Sequence, residues 1–152
     1  MENSSFARVV PGSDEPEGWY VASWGVPYVA VVSAAAYDGD GLGLSQTAEG
    51  DSYFLYLDVT VVPGTCYLLT GWVNVSDRRA GSYKVEVLPQ TAYGGSAGWV
   101  APIGYFAPTG GWQSFQVEAV APPTAAKFRI QLRVDGLRGV VYTDAISLVA
   151  VR

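Results

Sequence analysis

The stretch VVPGTCYLLTGWVNVSD, from Val61 to Asp77, combines a turn sequence with a strand that has two different faces. Pro63-Gly64-Thr65 favours a turn, because proline presets φ and glycine adopts positive φ without steric penalty. Alternate apolar residues of the following strand share one side, which predicts that this side faces a core: Tyr67, Leu69, Val73 and Val75. Trp72 falls on the opposite side. The strand is therefore predicted to be either the centre of a sandwich or the floor of a binding groove.

The composition of the whole chain is that of strands and turns. Of its 152 residues, 49% are apolar and only 15% are charged, which predicts a single folded domain spanning residues 1–152. Glycine (18 residues) and proline (9 residues) accompany many Val, Tyr, Thr and Trp residues, and no segment shows a helical period. We therefore predict an all-β fold.

Ten strand-like runs alternate with turns rich in Gly, Pro, Asp and Ser. These runs are Phe6–Val10, Tyr28–Ala34, Leu42–Thr47, Tyr53–Val62, Cys66–Val75, Tyr83–Pro89, Gly104–Phe106, Gln113–Val120, Lys127–Val134 and Val140–Val149. So many strands in one domain, joined by irregular connections, predict a two-sheet antiparallel β-sandwich with jelly-roll topology.

Two of these runs indicate which side chains leave the core. In Tyr53–Val62, the alternate residues predicted to face inward are Leu55, Leu57, Val59 and Val61. Tyr53 and Tyr56 are predicted to lie mostly off that face. In FRIQLRV, the residues predicted to face inward are Phe128, Ile130, Leu132 and Val134. This leaves Arg129, Gln131 and Arg133 on the other side. An outer face of Arg, Gln, Tyr and Trp fits either a platform for a polar ligand or a solvated surface that happens to be aromatic.

Charge and hydropathy exclude two classes of partner. The net charge of −5 and the scattered basic residues are unlike the basic footprint that nucleic acid requires. No apolar run approaches the length of a membrane span, and the first ten residues lack the pattern of a secretory signal. The single cysteine, Cys66, allows no internal disulfide.

The chain contains no histidine, which excludes Ser-His-Asp and Cys-His nucleophiles and His-ligated zinc. Paired carboxylates could still hydrolyse glycosides, and the strand-borne candidates are Glu86 and Glu118. Solvated carboxylates on strands are far commoner, so we predict that the protein is not an enzyme.

An ordered set of short motifs, from residue 3 to residue 149, resembles the jelly-roll carbohydrate-binding modules appended to xylanases and glucanases, of families four, nine, sixteen and twenty-two. The motifs are Asn3-Ser4-Ser5-Phe6-Ala7, Gly18-Trp19, Asp40-Gly41-Leu42-Gly43-Leu44, Val59-Thr60-Val61-Val62-Pro63-Gly64-Thr65-Cys66-Tyr67, Gly71-Trp72-Val73, Gly110-Gly111-Trp112-Gln113-Ser114-Phe115 and Val141-Tyr142-Thr143-Asp144-Ala145-Ile146-Ser147-Leu148. The ordered set is more specific for the fold than for the ligand.

The resemblance implies a polysaccharide ligand in a cleft on the concave sheet, where aromatic rings stack on sugars and polar side chains bind hydroxyls. It assigns four residues to the groove: Tyr53, Trp72, Gln131 and Arg133. Four more would form its rim: Trp24, Tyr28, Trp99 and Tyr105. Trp19 and Trp112 are assigned to packing instead.

The resemblance also implies a structural calcium ion. Asp144 matches one family ligand, whereas Ala7 and Ala145 stand where family members carry acidic residues. Asp38 and Asp40, in the turn Asp38 to Gly41, could compensate, because hard cations bind several oxygen ligands. A plain turn without metal is the alternative for this segment.

Two functions of different classes remain open. The first is a non-catalytic module that binds a β-glycan, secreted as part of a larger enzyme. The second is a structural or adhesion subunit on the same jelly roll, such as a capsid-decoration or tail-appendage protein of a virion, with the aromatics buried in a homo-oligomer. Trp72 would accordingly contact a sugar, a neighbouring subunit, or a loop of its own chain.

Overall fold

The computed structural model describes residues 6, 8, 10–13, 16–22, 28–32, 35–37 and 43–151, with the backbone alone for Tyr28. Its strands are β1 (Tyr20–Ala22), β2 (Tyr28–Val32), β3 (Gly43–Thr60), β4 (Cys66–Gln90), β5 (Ile103–Tyr105), β6 (Gln113–Val120) and β7 (Lys127–Val151). The described residues contain no α-helix, and accordingly no helix among them has the length and apolar character of a membrane span.

Every strand pairing is antiparallel. The seven strands form one hydrogen-bonded sheet in the order β1-β3-β7-β4-β5, with β2 also paired to β3 and β6 to β4. The register shifts at residues 49–53 of β3 and at residues 75–82 of β4. At these bulges the long central strands bend, which folds the sheet over on itself. The predicted all-β sandwich is confirmed.

The bends divide the sheet into two layers. The first layer contains β1, residues 53–60 of β3, 127–134 of β7, 82–90 of β4, and β5. The second layer contains β2, residues 43–49 of β3, 139–151 of β7, 66–75 of β4, and β6. Each central strand therefore contributes to both layers.

Apolar side chains from both layers fill the space between them, including Leu55, Ile130 and Leu132 from the first layer and Leu69 and Val73 from the second, all fully buried. Side-chain hydrogen bonds also cross this core. The Tyr83 hydroxyl lies 2.7 Å from Thr143 Oγ1, and Gln46 Nε2 donates to the Leu132 carbonyl at 3.3 Å. Burial raises the pKa of the Tyr83 phenol. These bonds pair buried donors with acceptors and help to fix how the layers face each other.

The sequence-based division into ten strands is wrong at three places. The runs Leu42–Thr47 and Tyr53–Val62 were predicted as two strands, but their residues 43–47 and 53–60 belong to the single strand β3. The same holds for the two runs within β4 and the two within β7. Their glycine-rich connections are bends instead of breaks: Gly81 has φ +73° and lies against Gly136 too closely for a side chain. The first run is not supported either, because the described residues Phe6, Arg8 and Val10 lie outside strands.

The stretch that begins at Val61 folds as its pattern predicts. Leu69, Val73 and Val75 are buried. Gly71 lies against the Phe115 ring of β6, so close that a Cβ at this position would overlap the ring. Trp72, between two inward-facing positions, points to the outer side of the second layer.

Candidate functional site

Strand pairing arranges the outer side chains of the first layer in rows that run across the strands. One row is Ala22, Phe54, Arg133, Lys84 and Gly104. The next row is Tyr20, Tyr56, Gln131 and Glu86, and a third contains Asp58, Arg129 and Leu88. We call this surface face A. It combines aromatic rings at one edge with charged and amide groups at its centre.

Three stacked side chains form the aromatic edge of face A. The Tyr20 and Tyr56 rings lie 5.4 Å apart at an interplanar angle of 25°, and the Arg129 guanidinium carbon lies 3.9 Å from the Tyr56 centroid. Because β1 and β7 flank β3, Tyr20 and Arg129 approach Tyr56 from opposite sides. Tyr20 is 63% exposed, so it is the ring of this stack that can accept a ligand.

A carboxylate holds Arg129 in the stack. Asp58 accepts two hydrogen bonds from Arg129, at 2.8 and 3.1 Å, and one from Lys127 at 2.9 Å. The Arg129 hydrogen bonds, with Lys127 contributing, lower the pKa of the Asp58 carboxyl. Asp58 in turn raises the pKa of Arg129. A bidentate pair of this kind fixes the plane of the guanidinium, and therefore the position of Tyr56.

The centre of face A is polar. Gln131 Nε2 donates to Glu86 Oε2 at 2.6 Å, and Gln131 is only 5% exposed because its neighbours cover it. Lys84 Nζ lies 3.7 Å from Asp135 Oδ2. The side chain of Arg133, directly opposite Lys84, makes no hydrogen bond or ion pair with any residue that the structure describes.

A second exposed ring stands at the far edge of face A. A Cβ on Gly104 would meet Phe106 Cε2 at 2.8 Å, so the Phe106 ring covers the outer side of β5. Phe106 is 61% exposed. Four interstrand steps separate β1 from β5, which places the two edges ~19 Å apart. Tyr20 and Phe106 therefore bracket a polar floor as long as a short oligosaccharide.

The outer side of the second layer, which we call face B, has its own aromatic group. The Tyr37 ring stacks on Trp72 with centroids 4.0 Å apart and an angle of 12°, and Trp112 meets Tyr37 edge-on at 5.7 Å. Asp144, beside Trp72 on β7, accepts a hydrogen bond from the Tyr37 N–H at 3.0 Å. Trp72 is thus covered by a segment of its own chain.

Three of the residues assigned to the groove or its rim lie elsewhere. Tyr53 is in the core at 4% exposure, and its hydroxyl donates to the Thr47 carbonyl. Tyr105 packs on the core with its ring 6.1 Å from that of Tyr83. Trp72 belongs to face B. The predicted convergence of Tyr53 and Trp72 with Gln131 and Arg133 on one face is therefore wrong: Tyr53 has the same strand parity as the inward-facing Leu55, and Trp72 is in the other layer.

The remaining predicted positions are only partly placed. Gln131 and Arg133 lie on face A, and their roles as ligands stay predictions. Trp24 lies outside the described residues, and the backbone of Tyr28 is in β2 of the second layer. Trp99 is 76% exposed in the loop between β4 and β5, where its neighbour Gly98 lies near Pro122 at one end of the sandwich.

Sequence reasoning did not assign Tyr20, Tyr56 or Phe106 to the site. Alternation with Leu55 and Leu57 did predict that Tyr56 lies off the inward face, and the structure has it on face A. Tyr20 and Phe106 belong to or follow three-residue strands. Such short strands carry too few residues for a periodic signal.

Asp144 has a structural contact that the calcium prediction did not include. Besides the Tyr37 N–H, its carboxylate accepts the Ala145 N–H at 2.7 Å. Within the part of the chain that the structure describes, no group of three or more His, Cys, Asp or Glu side chains could hold a metal ion. Asp38 and Asp40 lie outside that part. Calcium binding stays a prediction.

The two glutamates considered for hydrolysis are far apart. Glu86 is on face A, hydrogen-bonded to Gln131. Glu118, on β6, is opposite Leu68 of β4 and points outward on face B. Two carboxylates on opposite outer faces of a sandwich cannot flank one glycosidic bond.

Comparison with solved structures gives strong matches in fold. A segment of the enzymatically active domain of bacteriophage CBA120 tailspike protein 4 has a TM-score of 0.76 at 14% identity, over 99% of this chain and 21% of that one. The CBM22-1 xylan-binding domain of Paenibacillus barcinonensis Xyn10C has a TM-score of 0.72 at 17% identity, over 98% and 92%. A family 16 carbohydrate-binding module has 0.64 at 24%, over 92% and 97%.

No protein-family profile matches the chain, and no curated protein sequence matches it. The structural matches confirm, at the level of the fold, the resemblance to jelly-roll carbohydrate-binding modules. The chain spans nearly all of the xylan-binding domain but about a fifth of the tailspike chain.

Proposed function

We propose that the protein is a non-catalytic carbohydrate-binding module that holds a glycan chain on face A. The observation that carries this proposal is the exposed Tyr20 ring, held in place through Tyr56 and the Arg129–Asp58 pair. Several structural neighbours are carbohydrate-binding modules, which supports the same class of ligand.

The chemistry of face A suits a sugar. A pyranose ring has an apolar C–H face and a rim of hydroxyls, so it fits an aromatic plate that stands beside hydrogen-bonding groups. Tyr20 and Phe106 supply exposed rings at the two edges. Glu86, Lys84 and Arg133 supply acceptors and donors between them. The rows run across the strands, and we propose that the glycan does so too.

Calorimetry and affinity electrophoresis against xylan, β-glucan and mannan, together with pull-down on cellulose, test this proposal. The Tyr20→Ala variant should bind the preferred glycan roughly fivefold more weakly, since stacking on an aromatic ring contributes about 1 kcal/mol. Tyr93→Ala is the matched control, because Tyr93 is a fully exposed tyrosine in the loop after β4. Absence of binding to every glycan, or equal binding by Tyr20→Ala and wild type, would contradict the proposal.

The match to a tailspike segment favours a second candidate, a structural or adhesion unit of a viral tail appendage. An apolar region at one end of face B is consistent with a contact between copies. Val120 (59% exposed) and Val149 (49% exposed) lie there on either side of Cys66 and Leu68. Light scattering would support this candidate if it showed an oligomer that Val149→Lys dissociates, and a stable monomer would count against it.

We also keep two finer predictions as proposals. One is that the module acts outside the cell as part of a larger enzyme. The other is a structural calcium ion that uses Asp144. Melting with and without a chelator tests the second: calcium bound only by the folded state raises the melting temperature, and an unchanged melting temperature would remove the proposal.

A further inference from the structure

The row Phe54–Arg133–Lys84 on face A brings two cationic side chains next to each other. Arg133 and Lys84 are directly opposite residues on β7 and β4. Like charges directly opposite on neighbouring strands destabilise a sheet. The arrangement gives the pair a local affinity for an anion.

The other cations of face A already have a carboxylate partner. Arg129 and Lys127 both donate to Asp58, whose one negative charge offsets one of their two positive charges and engages the donors of both. Lys84 forms an ion pair with Asp135 at 3.7 Å, and Asp135 also accepts a hydrogen bond from Ser52 at 3.3 Å. Arg133 has no acceptor among the described residues, so its planar fork of N–H donors remains available.

We infer that face A takes an acidic glycan, with the carboxylate of a uronic acid residue bound by Arg133 and Lys84. This inference rests on the proposed function, because the sugar chain itself must lie on face A. The half-buried ring of Phe54 is directly opposite Arg133 on β3. A uronic acid ring in contact with Phe54 would direct its equatorial carboxylate along the sheet toward Arg133. The carboxylate then accepts a bidentate, charge-assisted pair of hydrogen bonds.

The overall charge of the protein makes this preference specific. With a net charge of −5, the chain as a whole repels polyanions. Glu86, on the neighbouring row, adds a negative charge near Gln131. Preference for an acidic glycan therefore has to come from the local pair and not from general attraction.

The experiment compares each acidic glycan with its own neutral form. Glucuronoxylan, polygalacturonate and alginate are assayed by calorimetry beside their carboxyl-reduced counterparts, which have the same linkages without the charge. Wild type should bind at least one acidic form roughly tenfold to hundredfold more tightly than its reduced form, as expected for a charge-assisted hydrogen bond. Arg133→Gln and Lys84→Gln should each reduce that ratio, and Arg133→Gln should bring it close to one.

Arg138→Gln is the matched control, because Arg138 is an exposed arginine at the bend of β7 and away from face A. It should keep the wild-type ratio. Equal binding of acidic and reduced forms overturns the inference. An unchanged ratio in Arg133→Gln also overturns it. Dextran sulfate serves as a general polyanion: if Arg138→Gln weakens its binding as much as Arg133→Gln does, the attraction is not local to Arg133 and the inference is overturned.

The outcomes separate this inference from the proposed function. If wild type binds neutral glycans through Tyr20 and shows no preference for the acidic forms, the proposed function stands and the inference fails. If no glycan binds in either form, the proposed function fails, and the inference, which rests on it, fails with it.

Discussion

Face A and face B are the outer sides of the same folded sheet, yet their aromatic residues are in opposite situations. On face A, Tyr20 is 63% exposed and is held by a neighbouring ring and an ion pair. On face B, Trp72 is covered by Tyr37, and Asp144 anchors the covering segment. The outer ring of the stack on face A is 63% exposed, whereas on face B the half-buried Trp72 lies beneath Tyr37, which is 38% exposed.

This difference shows that strand alternation alone does not identify a ligand surface. Trp72 and Tyr56 both occupy outward positions on central strands. What packs on each of them depends on segments distant in sequence: Tyr20 stacks on Tyr56, whereas Tyr37 stacks on Trp72 and bonds to Asp144, 107 residues away. The aromatic residue of face B should therefore contribute to stability, and that of face A to binding.

The largest expected effect is on face B. Trp72→Ala removes the stacking partner of Tyr37 and leaves a gap beneath it, which should lower the free energy of unfolding by about 2–3 kcal/mol. Urea denaturation measures the loss. Trp99→Ala, at a tryptophan that is 76% exposed, should stay within about 0.5 kcal/mol. Glycan affinity should be the same in Trp72→Ala, and a selective loss of binding would show that face B holds the ligand.

Asp144→Ala should have the next largest effect. It removes the acceptor of the Tyr37 and Ala145 N–H groups, and loss of hydrogen bonds to a charged acceptor costs about 1–3 kcal/mol. Asp144→Asn keeps one carbonyl oxygen and should lose less. Because Tyr37 would no longer be held, quenching of Trp72 fluorescence by iodide should increase in Asp144→Ala. If accessibility does not change, the ring stack holds this segment without the carboxylate.

The sequence could predict the sandwich because its signal is repeated along every long strand. Leu55, Leu57, Ile130 and Leu132 alternate with polar residues and are all buried, as expected. The bends could not be predicted, since Gly81 fits a loop and a bulge equally well. The site was predicted only in part: Gln131 and Arg133 follow from alternation, whereas Tyr20 and Phe106 depend on short edge strands.

A smaller effect should appear in the pH dependence of face A. The pKa of Asp58 is lowered below its ordinary value near 3.8, mainly by the hydrogen bonds from Arg129. A lowered pKa in the folded state stabilises the protein above the unfolded value, and this contribution is lost as pH falls through the folded one. Wild type should therefore lose stability through this group on acidification below about pH 4.

Asp58→Asn lacks that titration, so its stability should change less over the same range in urea denaturation. Asp77→Asn is the control, because Asp77 pairs with Arg79 on an exposed part of β4. Identical pH profiles for Asp58→Asn and wild type would mean that the cluster does not stabilise the fold.

The smallest expected effect on stability is at Tyr20, the residue on which the proposed glycan binding rests. Tyr20 is on the three-residue edge strand β1 and contacts Tyr56 with one side of its ring. Its removal opens no cavity, so Tyr20→Ala should change the free energy of unfolding by about 0.5 kcal/mol or less. Urea denaturation beside Tyr93→Ala measures this difference. A loss as large as that of Trp72→Ala would make Tyr20 a structural residue, whereas a stable variant that no longer binds glycan would separate the roles of the two faces.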